Sequence, residues 1–134
     1  MAALVPDGPA PSLTWMPAPR PFVAFDLLHL IEHGIPRGSG ALVVVLDNAG
    51  IHRSAVVAAA RSRLRRRGIS LYYLPPYAPE LNPIEPVFGA IKHHDLPHRH
   101  YTTDATLTAA IDAAFARAET RLIARTAHDL RPAA

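Results

Sequence analysis

The chain has 134 residues, of which 49% are hydrophobic, and it carries a formal net charge of +3 at pH 7. This length suits one small domain or part of a larger one, and the apolar content is sufficient for a core. The absence of cysteine excludes disulfides and thiolate metal sites, and a pI near 9.8 favours a polyanionic partner.

Residues 1–21 contain six prolines and no hydrophobic period, so they are predicted to form an extended, flexible arm. A helical apolar pattern begins at Phe22, and Gly34 is its predicted end. No stretch is long and apolar enough to span a bilayer, and the first residues lack the pattern of a secretory signal. We therefore expect an intracellular protein without membrane association.

Two strand-like runs follow, separated by a helix. Residues 41–46 are almost continuously aliphatic, which is typical of a parallel strand covered on both faces. Ser54 is a predicted N-cap for a helix that runs to Arg67, with Gly68 behind it. Residues 69–74 form the second run. A strand, a helix and a strand in this order predict a parallel pair of strands.

A proline-rich segment, LPPYAPELNPIE at residues 74–85, follows the second strand. Its prolines cannot donate the hydrogen bonds of a helix or a central strand, so a stiff loop is expected. Asn82 is a predicted N-cap, Pro83 suits the first helical position, and Glu85 occupies the capping-box position. This arrangement places a carboxylate on the first turn of a helix. A last helix with one apolar stripe is predicted from about Asp104.

A second acid, Asp47, ends the first strand, and its motif makes the chain resemble a known family. The motif DNAGIH at residues 47–52, the segment at 74–85, and then Phe88 and Lys92 resemble the catalytic domain of DDE-superfamily transposases. The mariner-related group of bacterial insertion sequences is the most similar branch. The resemblance covers roughly residues 22–122, although Phe88 stands where the family usually has Trp. It implies a ribonuclease-H-like sheet whose three carboxylates bind two divalent metals, Mg²⁺ or Mn²⁺, to cut and join DNA.

By this resemblance, Asp47 is the second catalytic carboxylate and Glu85 the third, and both are predicted metal ligands. The spacing between them is somewhat longer than is usual in the family. Asn48, His52 and Asn82 are the predicted neighbours of the site. By the resemblance, His52 contacts a phosphate or the attacking group. The alternative is that His52 only forms a hydrogen bond within its turn. Turn or cap roles are the alternative for the polar residues of both motifs.

Basic side chains on the two helices after these motifs are the predicted DNA contacts. The sequence between Asp47 and Glu80 contains no acid, so the arginines there are predicted to be locally unopposed and to attract DNA phosphates. A solvated helix face is the alternative. The predicted DNA-binding residues are Lys92 and a group that we call the arginine strip: Arg61, Arg63, Arg65, Arg66 and Arg67.

The histidine-rich run and Glu80 are two further candidates for metal ligands. A histidine-rich run lacks the ligand spacing of a zinc site and is predicted to be a loop. Glu80 is predicted to be exposed on the proline-rich segment at residues 74–85, which we call the proline loop. The alternative is that Glu80 serves as an additional metal ligand. The histidines of the run are His93, His94, His98 and His100.

The first carboxylate of the family has no counterpart in a suitable strand. The upstream acids are Asp26, in a predicted helix, and Asp7, in the arm. The predicted fold class is α/β: a partial ribonuclease-H-like fold with parallel strands and flanking helices, lacking the first strands. The predicted domains are the arm at 1–21, a partial DDE catalytic domain at 22–125, and a C-terminal tail at 126–134.

Three hypotheses for function follow. The first is the C-terminal part of a DDE transposase, from a truncated or split gene, that is inactive alone. The second is a non-catalytic DNA-binding or interaction module that regulates an intact transposase by joining it. The third is a standalone small metal-dependent nuclease. The expected partners are the DNA backbone and either an upstream transposase half or an intact transposase, in the bacterial cytoplasm at the nucleoid. Whether the chain is an enzyme by itself stays open, because the first catalytic Asp is missing.

Overall fold

The structure is a computed structural model that describes residues 1–6, 11–38, 40–96 and 99–129. Asp7 of the predicted arm and His98 of the histidine-rich run lie outside these residues, as do the last five residues of the predicted tail. Within the described ranges, the helices are all too short or too polar to cross a membrane.

Four strands and four helices follow one another along the chain. A π-helical turn continues the first helix at Leu30–Gly34, another continues the third helix at Ile91–Asp95, and a 3₁₀ turn covers Pro79–Leu81. The elements are β1 (Ala2–Val5), β2 (Ser12–Trp15), α1 (Ala24–His29), β3 (Leu42–Leu46), α2 (Ala55–Arg66), β4 (Ile69–Tyr73), α3 (Glu85–Ala90) and α4 (Asp104–Asp129).

The chain divides into two units, and the first consists of Met1 with Arg20–Asn82. In it, β3 and β4 pair in parallel, from Leu42 opposite Ile69 to Leu46 opposite Tyr73. The connecting helix α2 begins as predicted, because the Ser54 hydroxyl accepts a hydrogen bond from the Val57 amide at 3.4 Å. This confirms the predicted α/β class with parallel strands, whereas the ribonuclease-H-like topology stays a prediction.

The parallel strands are covered on one face only. In β3, Val44 and Leu46 are buried, whereas Val43 and Val45 are 60% and 50% exposed. Successive side chains of a strand point to opposite faces, and α2 packs against β4 on one of them. The prediction that this strand is covered on both faces is therefore wrong for the described residues.

The second unit combines Ala2–Pro19 with Pro83–Ala134. In it, β1 and β2 form an antiparallel hairpin, with Ala2 opposite Trp15. The predicted arm therefore contains two short strands that its proline content concealed. Pro6 follows the last residue of β1 and Pro11 precedes the first of β2, so neither proline removes a ladder hydrogen bond.

Helix α4 contributes Ala114, Phe115 and Ala118 to the core of the second unit. It begins at Asp104, as predicted, and its predicted stripe includes the buried Phe115 and Ala118. The hairpin packs on it: the Trp15 indole stacks on Phe115 with ring centres 5.4 Å apart and donates a hydrogen bond to Asp112 Oδ1 at 2.8 Å. The helix continues to Asp129, so the first residues of the predicted tail are helical.

The second π-helical turn is attached to α4 by a buried carboxylate. Asp95 is 7% exposed and accepts hydrogen bonds from both terminal nitrogens of Arg121, one of them at 2.7 Å. Arg117 donates to the Asp95 backbone oxygen at 2.6 Å. The Arg121 guanidinium holds the pKa of Asp95 below its ordinary range, despite the opposing effect of burial.

Candidate functional site

Asp47 lies immediately after β3, at the carboxyl end of the parallel pair. Its Oδ1 atom is 2.7 Å from His52 Nδ1 and accepts a hydrogen bond from the Ala49 amide at 2.9 Å. The Asp47 side chain is 43% exposed, whereas that of His52 is 17% exposed. Asp47 is therefore a surface carboxylate with one oxygen held by its own turn.

Asn48 connects the two sequence motifs. Its Nδ2 group donates to the Leu74 carbonyl at 2.7 Å, and its Oδ1 atom accepts from Arg53 Nη1 at 2.9 Å. The Leu74 amide in turn donates to the Leu46 carbonyl at 2.8 Å. The start of the proline loop is thus fixed beside the end of β3, which is the location where α/β sheets place their ligands.

Tyr73 and two arginines complete this end of the sheet. The Tyr73 hydroxyl donates to the His52 carbonyl at 2.8 Å, and the guanidinium carbons of Arg53 and Arg61 lie 5.9 and 5.7 Å from the Tyr73 ring centre. These are cation–π distances. Sequence reasoning missed Arg53 and Tyr73, although the first directly follows His52 and the second ends the strand that pairs with β3.

Glu85 lies in the second unit, exposed, as the first residue of α3. The predicted cap is wrong: the N-cap is Ile84, and the Phe88 amide donates to its carbonyl at 3.0 Å. With Asn82 as the cap, Pro86 would fall at the fourth helical position, where its missing N–H would remove a hydrogen bond. With Ile84 as the cap, Pro86 occupies the second position, where the amide has no intrahelical partner.

The metal set that the resemblance implies is incomplete in the part of the chain described. No three or more histidine, aspartate or glutamate side chains lie together there as a potential metal site. Asp47 is a hard oxygen donor of the kind that Mg²⁺ binds, but one carboxylate does not complete such a shell. Asp26 is engaged elsewhere, because Arg20 hydrogen-bonds both of its oxygens at 2.7 and 2.8 Å and lowers its pKa to about 2.

The arginine strip is less isolated in space than in sequence. Glu32, from the first π-helical turn, lies 3.3 Å from Arg63 Nη2 and 3.2 Å from Arg67 Nη1 through the same oxygen. The N–H bonds do not point at that oxygen, so the contacts are ion pairs without hydrogen bonds. The strip has no acidic neighbour in sequence, but in space Glu32 opposes the charges of Arg63 and Arg67.

Arg65 and Arg66 are exposed, and within the described residues no acidic side chain is within ion-pair distance of them. We expect the Arg65→Ala, Arg66→Ala double variant to flatten the plot of log binding constant against log salt for duplex DNA by about 1.8, if each arginine contacts one phosphate. The matched control is Arg63→Ala with Arg67→Ala, which should flatten it less because Glu32 already opposes these charges. If the parent and the Arg65→Ala, Arg66→Ala variant have equal slopes, Arg65 and Arg66 do not contact phosphates and are only solvated.

Four further residues that the sequence analysis singles out, Phe88, Lys92, His93 and His94, lie in the second unit. Lys92 is exposed on the second π-helical turn, and Phe88 packs edge-on against Phe115 with ring centres 6.3 Å apart. His93 and His94 belong to the same turn, so the predicted loop is wrong for this part of the histidine run. These histidines extend α3 instead of forming a separate segment.

One family model, described as DDE superfamily endonuclease, matches residues 25–108, which is more than half of the chain. The match includes both Asp47 and Glu85. No curated protein and no solved structure matches the chain at a significant level. On the family match, the chain belongs to the DDE superfamily endonucleases.

Proposed function

We propose that this chain contributes Asp47 and Glu85 to metal-dependent phosphoryl transfer on DNA, as part of a transposase of the mariner-related type found in bacterial insertion sequences. The observation that carries the proposal is that one endonuclease family model spans both acids. Within the first unit, Asn48, which follows Asp47, also hydrogen-bonds Leu74, the first residue of the second motif. Both motifs lie inside the range that matches the endonuclease family.

In this proposal, Asp47 and Glu85 hold Mg²⁺ or Mn²⁺, which when bound supplies charge stabilisation at the transferring phosphate. His52 positions Asp47, since its Nδ1 group lies 2.7 Å from the Asp47 oxygen and its backbone is held by Tyr73. The position of Asn82 just before α3 supports a near-site role in holding the turn that leads to Glu85, in place of the predicted cap.

We further propose that the chain is inactive alone and acts at the bacterial nucleoid with a partner that supplies the first carboxylate. That partner is an upstream transposase half or an intact transposase. The proposal is supported by the one-sided cover of β3 and β4, which leaves Val43, Val45 and Tyr72 exposed. Exposed apolar patches on a sheet are typical of surfaces that bind another protein segment.

Titration with Mn²⁺ tests the assignment of the two acids. We expect paramagnetic broadening of NMR signals to centre on Asp47, Asn48 and Glu85, with weak affinity, because two carboxylates neutralise two dications poorly. Asp47→Asn should remove the broadening around Asn48, whereas the control Asp26→Asn should leave it unchanged. Broadening centred on His93 and His94 would instead assign metal binding to the histidine run.

A second candidate function, a non-catalytic DNA-binding module, is favoured by the exposure of Arg65 and Arg66. Phosphate contacts of this kind bind duplex DNA without reading its sequence. The Mn²⁺ titration separates the two functions, because a module that only binds DNA needs no metal at Asp47.

A further inference from the structure

The proline loop displays one aromatic side chain in an unfavourable backbone conformation. Tyr77 has a φ of 59°, and its relative exposure is 102%, as high as in an extended chain. Bulky residues rarely adopt this left-handed conformation, which Gly, Asn and Asp tolerate much better. The ring also buries no surface in return. The loop therefore maintains Tyr77 in this position without any packing contribution to the fold.

The neighbours of the loop are cationic. The loop starts at Leu74, whose carbonyl is bound by Asn48, and the same Asn48 side chain accepts a hydrogen bond from Arg53. Tyr77 is three residues further on, and three residues span at most about 11 Å. Arg53 and Arg61 both lie over the Tyr73 ring. An exposed aromatic ring and two held guanidinium groups thus occupy one end of the sheet.

We propose that Tyr77 stacks on an unpaired base of single-stranded DNA whose backbone is bound by Arg53 and Arg61. Aromatic rings beside a basic surface are the combination by which proteins bind single strands, since every base offers a face for stacking. In a duplex these faces are covered by neighbouring bases and are out of reach. The inference rests on the proposed function, which makes DNA the substrate. It adds that the DNA strand near Asp47 is unpaired.

Two substitutions at Tyr77 separate the ring from the backbone. Tyr77→Asn removes the ring and tolerates the left-handed conformation, and Tyr77→Phe keeps the ring without the hydroxyl. Binding of a fluorescein-labelled oligothymidylate and of a duplex of the same length is measured with the full chain at fixed salt. We expect Tyr77→Asn to weaken single-strand binding by about 5- to 100-fold, Tyr77→Phe to retain it, and duplex binding to stay unchanged in both.

Thermal unfolding provides the second readout. Tyr77→Asn should melt no lower than the parent, because the substitution relieves the backbone and removes no packing. A lower melting temperature would assign Tyr77 a structural role and overturn the inference, as would unchanged single-strand binding or an equal loss for duplex and single strand. If the parent binds duplex but no single strand, this inference alone fails. If it binds neither, the proposed function fails with it.

Discussion

Purified chain incubated with labelled duplex DNA and Mn²⁺ should leave the DNA intact. Phosphoryl transfer depends on the positioning of the reacting groups and on stabilisation of the transition-state charge by metal ions. Without the first carboxylate, both the positioning and the charge stabilisation are weakened. A fusion that supplies the upstream strands of the family with their Asp should nick the same DNA. The expected difference is at least about 10²- to 10³-fold, which is the loss typical of removing one preorganised electrostatic group from an active site.

Two variants control the cleavage assay. In the fusion, Asp47→Asn and Glu85→Gln should each abolish nicking while preserving DNA binding, because neither residue belongs to the arginine strip. Metal-dependent cleavage by the chain alone, lost in the same two variants, would contradict the proposal. It would instead establish the third hypothesis, a standalone nuclease.

Replacing Trp15 by alanine should lower the free energy of unfolding of the second unit by about 3 kcal/mol. The substitution removes the stack on Phe115 and the hydrogen bond to Asp112. Trp15→Phe keeps an aromatic ring and should lose only about 1 kcal/mol, the contribution of one hydrogen bond. Urea unfolding followed by circular dichroism measures all variants without relying on tryptophan fluorescence.

The matched control is Phe25→Ala, which removes an aromatic side chain that is 70% exposed. Substitutions at exposed sites usually change stability by less than about 0.5 kcal/mol. A loss at Trp15 no larger than the loss at Phe25 would show that the hairpin does not stabilise the unit.

Local signals in the sequence were sufficient for much of the fold. The aliphatic run before Asp47, the Ser54 cap and Gly68, which has a φ of 74°, specify a strand, a helix and its end. The β1–β2 hairpin was missed because its strands have only four residues each in a proline-rich segment, and they pack against core residues of α4. A contact between residues so distant in the chain leaves no local pattern.

In the candidate site, contacts within one sequence motif were predictable, whereas contacts between distant elements were not. The motifs locate Asp47 and His52 in one turn, and the structure places them 2.7 Å apart. The ion pairs of Glu32 with Arg63 and Arg67 were not predictable, because they join residues on separate helical elements. The start of α3 was misassigned because Asn82 satisfies a cap pattern, whereas Pro86 favours a later start.

The second unit is built from two segments that are far apart in the chain, Ala2–Pro19 and Pro83–Ala134, and are therefore synthesised at different times. Trp15 is synthesised 97 residues before its partner Asp112. At bacterial and eukaryotic elongation rates, this interval lasts about 5–20 s. The first unit, apart from Met1, consists of Arg20–Asn82 and is therefore synthesised within that interval. The nascent hairpin meanwhile presents Leu13 and Trp15 without their helix, which makes it a candidate for binding by chaperones until α4 emerges.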